Sequence, residues 1–227
     1  MPPRLALVLA GSLLLSVLAP ACGEPRPVQV AVGSEVLTGL YWEPPRRLAP
    51  AVLVLPTPGQ GKEKWVPLAI RFRQEGYGVL ALELPEPGRT NYGQLLVEVR
   101  AGFEFLRAQK KVDAARIGLM GAEGGAEAAL RFAAAEPLAR LVVLVSPGSG
   151  NGGVGLEPTL RDYGARPLLL IVSEENLGSA EAARRLAAAA QGETVVKLYS
   201  ASLQGAERLA VPQPVTEDLL GFLRARL

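Results

Sequence analysis

Short, unbroken apolar runs alternate along the chain with longer amphipathic stretches. Ala51–Leu55 lies between Pro50 and Pro56, the pattern of a strand buried on both faces. Val28–Val32 and Val36–Trp42 flank Gly33-Ser34 and predict a β-hairpin. A helix is expected from about Lys62 to Glu75, closed by Gly76, and a strand over Gly78–Leu84. Tyr92–Lys110 reads as a long helix with Leu95, Val99, Phe103 and Leu106 on its inner face. Further strands are expected over Ile117–Met120, Leu141–Val145, Leu168–Ser173 and Thr194–Tyr199, and further helices over Glu123–Ala135, Ala180–Ala190 and Thr216–Leu227. Strands alternating with helices imply an α/β domain with a doubly wound, mostly parallel sheet flanked by helices. There is no internal repeat and no gap wide enough for a second domain or a large cap. The glycine-rich stretch Gly148–Gly155 lacks the Lys-Ser/Thr of a phosphate-binding loop and reads as a flexible loop over the carboxyl edge of the sheet.

Composition narrows the chemistry. With 24 Lys+Arg against 22 Asp+Glu, no global field argues for a nucleic-acid partner. The one cysteine, Cys22, excludes an internal disulfide framework and any multi-cysteine metal site. There is no histidine, so a metal would have to be held by carboxylates alone; no metal and no cofactor is expected. Residues 1–21 have the layout of a signal peptide: Arg4, an apolar stretch from Leu5 to Leu18, then small residues at Ala19 and Ala21. The apolar stretch is short for a bilayer span. Leu18-Ala19-Pro20-Ala21-Cys22 resembles a bacterial lipobox, with Ala19 where leucine is usual. The resemblance implies lipidation of Cys22, a short tether over residues 22–27, a domain over 28–227, and a lipid-anchored protein exported to the bacterial cell envelope. The alternative is an ordinary secretory signal with an incidental cysteine.

The most informative stretch is Gly118-Leu119-Met120-Gly121-Ala122-Glu123-Gly124-Gly125-Ala126. An apolar run enters a turn framed by Gly121 and Gly125, and an alanine-rich helix follows at once. This is the strand–turn–helix setting of the G-x-S-x-G nucleophile elbow, where bulk beside the central residue would clash with strand or helix. From about residue 28 to 227 the chain resembles the α/β-hydrolase superfamily, in particular its dienelactone-hydrolase-like and esterase-like members. The motifs come in order: Leu53-Val54-Leu55-Pro56, Gly76-Tyr77-Gly78-Val79-Leu80-Ala81, the elbow, Pro167–Asn176, and Leu198-Tyr199 followed by Leu203-Gln204-Gly205.

Acyl transfer on this scaffold needs a nucleophile, a base, an acid to orient the base, and an oxyanion hole. The resemblance puts Glu123 at the nucleophile position, Asn176 at the acid position and Gln204 at the base position. It places the oxyanion donors at Gly124 and Pro58, and proline has no N–H to give. A one-residue slip would move the second donor to Gly59, and the acid to Glu174 or Glu175. The expectation is an α/β-hydrolase-fold protein that has lost hydrolytic chemistry and serves as a binding or interaction module. Glu123, Gln204 and Asn176 would then line the old cleft against a small polar or cationic ligand, or an envelope protein would dock there; Glu123 as a merely tolerated residue is the plainer option. The alternative is an active carboxylic-ester or dienelactone-type hydrolase with a non-standard catalytic set, recruiting Ser146, Ser173 or Ser200 beside Glu174 or Glu175. Trp42, Trp65, Tyr92 and Tyr163 fit core or surface packing better than pocket walls.

Overall fold

The computed structural model describes residues 23–86, 88, 91–148, 155–200 and 214–227. The expected signal peptide, Cys22 and Gln204 lie outside them. In chain order, a hairpin of β1 (Arg26–Val32) and β2 (Glu35–Trp42) precedes β3 (Ala49–Leu55), and α1 (Val66–Gln74) leads to β4 (Gly78–Leu82). Next come α2 (Tyr92–Arg107), β5 (Val112–Ala122), α3 (Gly124–Ala135) and β6 (Ala139–Val145). The chain continues with α4 (Thr159–Tyr163), β7 (Leu168–Ser173), α5 (Leu177–Ala189), β8 (Thr194–Tyr199) and α6 (Pro214–Arg226).

The eight strands form one sheet in the order β1-β2-β4-β3-β5-β6-β7-β8. β2 runs antiparallel to both β1 and β4, while β3 to β8 are mutually parallel. The doubly wound, mostly parallel sheet expected from the alternation is therefore what the chain forms. Parallel strands need both faces covered, and the period-two alternation divides their side chains between two cores. Leu53, Leu55, Leu80 and Leu82 face α2, α3 and α5, through Val99, Phe103, Leu130, Phe132 and Leu186. Val52, Val54, Val79 and Val143 face α1 and α6, through Leu68, Phe72, Leu219 and Leu223. Trp42, Trp65 and Tyr163 are all buried in these cores.

Boundaries differ from the sequence expectation where local chemistry intervenes. The stretch from Lys62 opens as a 3₁₀ turn, Lys62–Trp65, because Pro67 in the first turn of α1 starts a new helix. α5 begins at Leu177, earlier than expected, because the Asn176 side chain accepts the Ser179 N–H at 3.1 Å. β4 stops at Leu82 and α2 at Arg107. The short α4 was not foreseen. Arg166 locks the region after it: its guanidinium donates to the carbonyls of Ala133, Glu136, Ala139 and Tyr163 at 2.7–2.9 Å and stacks over the Tyr163 ring. No helix among the described residues is long and apolar enough to cross a membrane.

Candidate functional site

All the expected site positions that are described lie on one edge, where β3 to β8 end. Glu123 is the turn between β5 and α3, with φ +49° and ψ −114°. That left-handed backbone is unusual for a residue with a side chain and persists only where the surroundings over-determine it. Here they do. The Glu123 N–H donates to the Val145 carbonyl at 2.9 Å, and its own carbonyl accepts from Ala126 and Glu127. A Cβ on Gly121 would come within 2.2 Å of the Gly125 carbonyl oxygen, and one on Gly125 within 2.2 Å of the Leu55 carbonyl oxygen. The two outer glycines are thus required by backbone packed against backbone. Glu123 itself is half-buried, and its side chain makes no capping hydrogen bond to α3. A carboxylate is electrostatically compatible with a helix N-terminus.

The loop after β3 meets the elbow through Pro58. Its Cδ lies 3.0 Å from the point where a Cβ on Gly124 would sit. The structure therefore brings Gly124 and Pro58 together. The Gly59 N–H donates to the Leu84 carbonyl at 3.4 Å, so this neighbouring amide is directed towards the end of β4.

The remaining positions are held apart or employed locally. Glu123 follows β5, Ser146 follows β6 and Asn176 follows β7, so Glu123 and Asn176 stand two strand spacings apart, roughly 10 Å. The Asn176 oxygen caps α5. Glu174 and Glu175 are exposed. Ser173 is buried, and its Oγ accepts the Glu175 N–H at 3.2 Å; Ser146 is buried with φ +47°, its N–H donating to the Ile171 carbonyl. Ser200 is exposed beyond the last strand. At that strand, the Tyr199 hydroxyl donates to Asp218 at 2.6 Å, and Lys197 pairs with the same carboxylate at 3.1 Å. The tyrosine bond, then the lysine, hold Asp218 below the usual carboxylate range.

A small cavity of about 40 Å³ opens beside the elbow helix, lined by Glu127, Leu156, Glu157, Ala182, Arg185 and Leu186 together with Gly148 and Gly155. It suits a water molecule better than an ester substrate. Glu123 and Asn176 do not line it. Glu127, half-buried there, is pushed above the ordinary carboxylate range by burial, with Arg131 opposing. Sequence reasoning passed over this residue; its place one helical turn after Glu123 was the available signal.

No protein-family model matches the sequence, and no curated protein matches it. Solved structures do. A dienelactone hydrolase from Anabaena variabilis superposes with TM-score 0.73 at 19% identity, over 90% of this chain and 99% of that one. The fold is that of the α/β hydrolases. The α/β hydrolase GrgF from a Penicillium species gives TM-score 0.73 at 14% identity, covering 89% of this chain and 98% of its own. An esterase from Pyrococcus furiosus gives 0.71 at 17% identity, over 89% and 91%. At these identities the likeness speaks for fold alone.

Proposed function

We propose that this is an exported, lipid-anchored α/β-hydrolase-fold protein whose elbow edge binds a ligand or partner and does not carry out acyl transfer. The observation that carries the reading is Pro58 against Gly124. A tetrahedral oxyanion needs two preorganised donors, and losing one costs about 100- to 1,000-fold in rate. Pro58, the position the resemblance gives to the second donor, has no N–H and packs against Gly124, and the neighbouring Gly59 amide is engaged by Leu84. The chain has no histidine to act as base, and Asn176 is occupied in capping α5. Glu123, held on a rigid turn beside the exposed Glu174 and Glu175 further along the edge, favours a cationic or hydrogen-bond-donating ligand.

A second reading rests on the elbow's retained geometry. The Glu123 backbone is held in the strained conformation that presents a nucleophile, so its carboxylate Oε could displace a leaving group such as halide from an sp3 carbon, the carbon–halogen bond breaking as an alkyl ester forms. With no histidine to activate water, the resulting ester would be released slowly. Repeated turnover is tested by steady-state rates on short-chain activated esters and dienelactone with the full chain, with Glu123→Ala and a protein-free blank alongside, and a single unreleased turnover by the intact mass of the protein. Rates at the blank level for both proteins, with the protein mass unchanged, support the binding module. A parent rate well above the blank that collapses in Glu123→Ala supports the hydrolase.

A further inference from the structure

The edge of the sheet opposite the elbow has its own character. β3 to β7 begin there, and the chain's first described residue, Gly23, arrives at the same end: β1 pairs Arg26 with Tyr41, and β2 pairs Trp42 with Val79 at the start of β4. A Cβ on Gly23 would lie 3.6 Å from Nη1 of Arg73 in the last turn of α1. Arg73 donates to the Glu43 carbonyl at 3.2 Å, Lys111 pairs with the Glu43 carboxylate at 2.6 Å, and the Ala49 N–H donates to the Lys111 carbonyl at 2.9 Å. These contacts join the tether's arrival point, the loop from Glu43 to Leu48 and the turn before β5 into one surface.

That surface is basic with an apolar tip. The Lys111–Glu43 and Arg116–Asp113 pairs cancel. Besides these, the described residues there include Arg26, Arg46, Arg47 and Lys110, with Glu24 at the tether and Glu75 paired to Arg224. Arg46, Arg47 and Lys110 are exposed and have no acidic partner among the described residues. Leu48, directly after the two arginines, is 70% exposed. It is fixed outward, with φ +52° and its carbonyl accepting a hydrogen bond from the Arg116 guanidinium. Among the described residues the elbow edge carries Glu86, Glu123, Glu174 and Glu175, with Lys64 as a cation there and Lys62 paired to Glu83. Strands of five to seven residues separate the two edges by about 20 Å, roughly two Debye lengths at physiological salt. Each edge therefore presents its own charge to a nearby surface.

We propose that the edge bearing Arg26, Arg46, Arg47, Leu48 and Lys110 docks on an anionic lipid surface, holding the elbow edge away from the bilayer. This rests on the membrane-anchored reading above and adds the orientation. A lipid at Cys22 confines the domain near the membrane but leaves it free to swivel. The basic edge selects one pose by attraction, and the acidic elbow edge disfavours the inverted one. Leu48 meets the headgroup boundary as a single apolar contact beside Arg46 and Arg47, whose stems can lie along the interface.

The test uses full-length protein carrying Cys22→Ser, so that binding does not depend on lipidation. It is co-sedimented with phosphatidylcholine vesicles and with equimolar phosphatidylcholine–phosphatidylglycerol vesicles at low and high salt. Preferential binding to the anionic vesicles, lost at high salt, is expected. Arg46→Glu/Arg47→Glu should weaken it by about tenfold or more, Leu48→Ser by a smaller factor, and Lys64→Glu on the elbow edge should leave it unchanged. Circular dichroism checks that each exposed-site variant is folded. Equal binding to both vesicle types, or an unchanged affinity in Arg46→Glu/Arg47→Glu, overturns the docking pose. Whether Cys22 carries lipid is read separately, from the mass of the parent protein extracted from membranes, so failure of the anchor and failure of the pose are told apart.

Discussion

At the residue scale the elbow is held by sterics, and Glu123 is accommodated within it. Gly121→Ala drives a Cβ into the Gly125 carbonyl, where neither backbone can yield. A loss of about 3 kcal/mol or more is expected in chemical denaturation. Glu123→Gly removes a side chain from a left-handed position that glycine adopts freely. If Glu123 contributes nothing to stability, relief of strain outweighs the entropy of glycine, and the variant should be about 1 kcal/mol more stable. A clear drop in melting temperature would instead show the Glu123 side chain making a stabilising contact. The glycine frame was legible from the sequence because only small residues fit such a turn. The meeting of Pro58 with Gly124 was legible only through the resemblance, since local patterning does not place one loop over another. That Gly59 turns its N–H towards Leu84 was not legible, because it depends on how the loop settles on β4.

At the scale of elements, the structure gives local employment to residues that a search for catalytic machinery singles out. Asn176 is a helix cap: Asn176→Ala should cost about 1 kcal/mol, while Asn176→Asp should retain most of the stability, both read by denaturant titration. Arg166 ties the carbonyls at the end of α3 to the start of β7. Arg166→Ala leaves several carbonyls without a donor, and a loss of about 2–4 kcal/mol is expected, with little rescue by lysine, whose single ammonium cannot reproduce the fork. Glu98 on α2 supplies a pH dependence. It is buried, its Oε2 has no hydrogen-bond partner among the described residues, and its carboxyl is raised by burial and by Glu35, with Gln94 opposing. A raised carboxyl binds its proton more tightly in the folded state, so its contribution is fully present below the ordinary value of 4.5 and is lost as pH rises through the raised one. Stability should therefore fall over that window in the parent and stay flatter in Glu98→Gln, as thermal melts across pH would report. Element type and order were readable from periodicity. The α4 turn and the early start of α5 were not, because five residues carry too little periodicity and a cap is a side-chain event.

At the scale of the whole molecule, the proposed binding module pairs an α/β-hydrolase fold with a site lacking a histidine base and a second amide donor. Restoring one part should therefore not restore the reaction. Glu123→Ser alone should stay at the blank rate in an ester assay, because the chain holds no histidine to deprotonate the serine and Pro58 still stands beside Gly124. Steady-state assays would miss a carboxylate that reacts once and is not released. The most direct measurement is therefore the intact mass of the full-length protein after incubation with an activated alkyl halide, in which a carboxylate oxygen would displace the halide and retain the alkyl group. A binding module leaves the mass unchanged, and equal in Glu123→Ala. One alkyl group per protein, mapped to Glu123 and absent from Glu123→Ala, would contradict the loss of chemistry and make this elbow a working nucleophile.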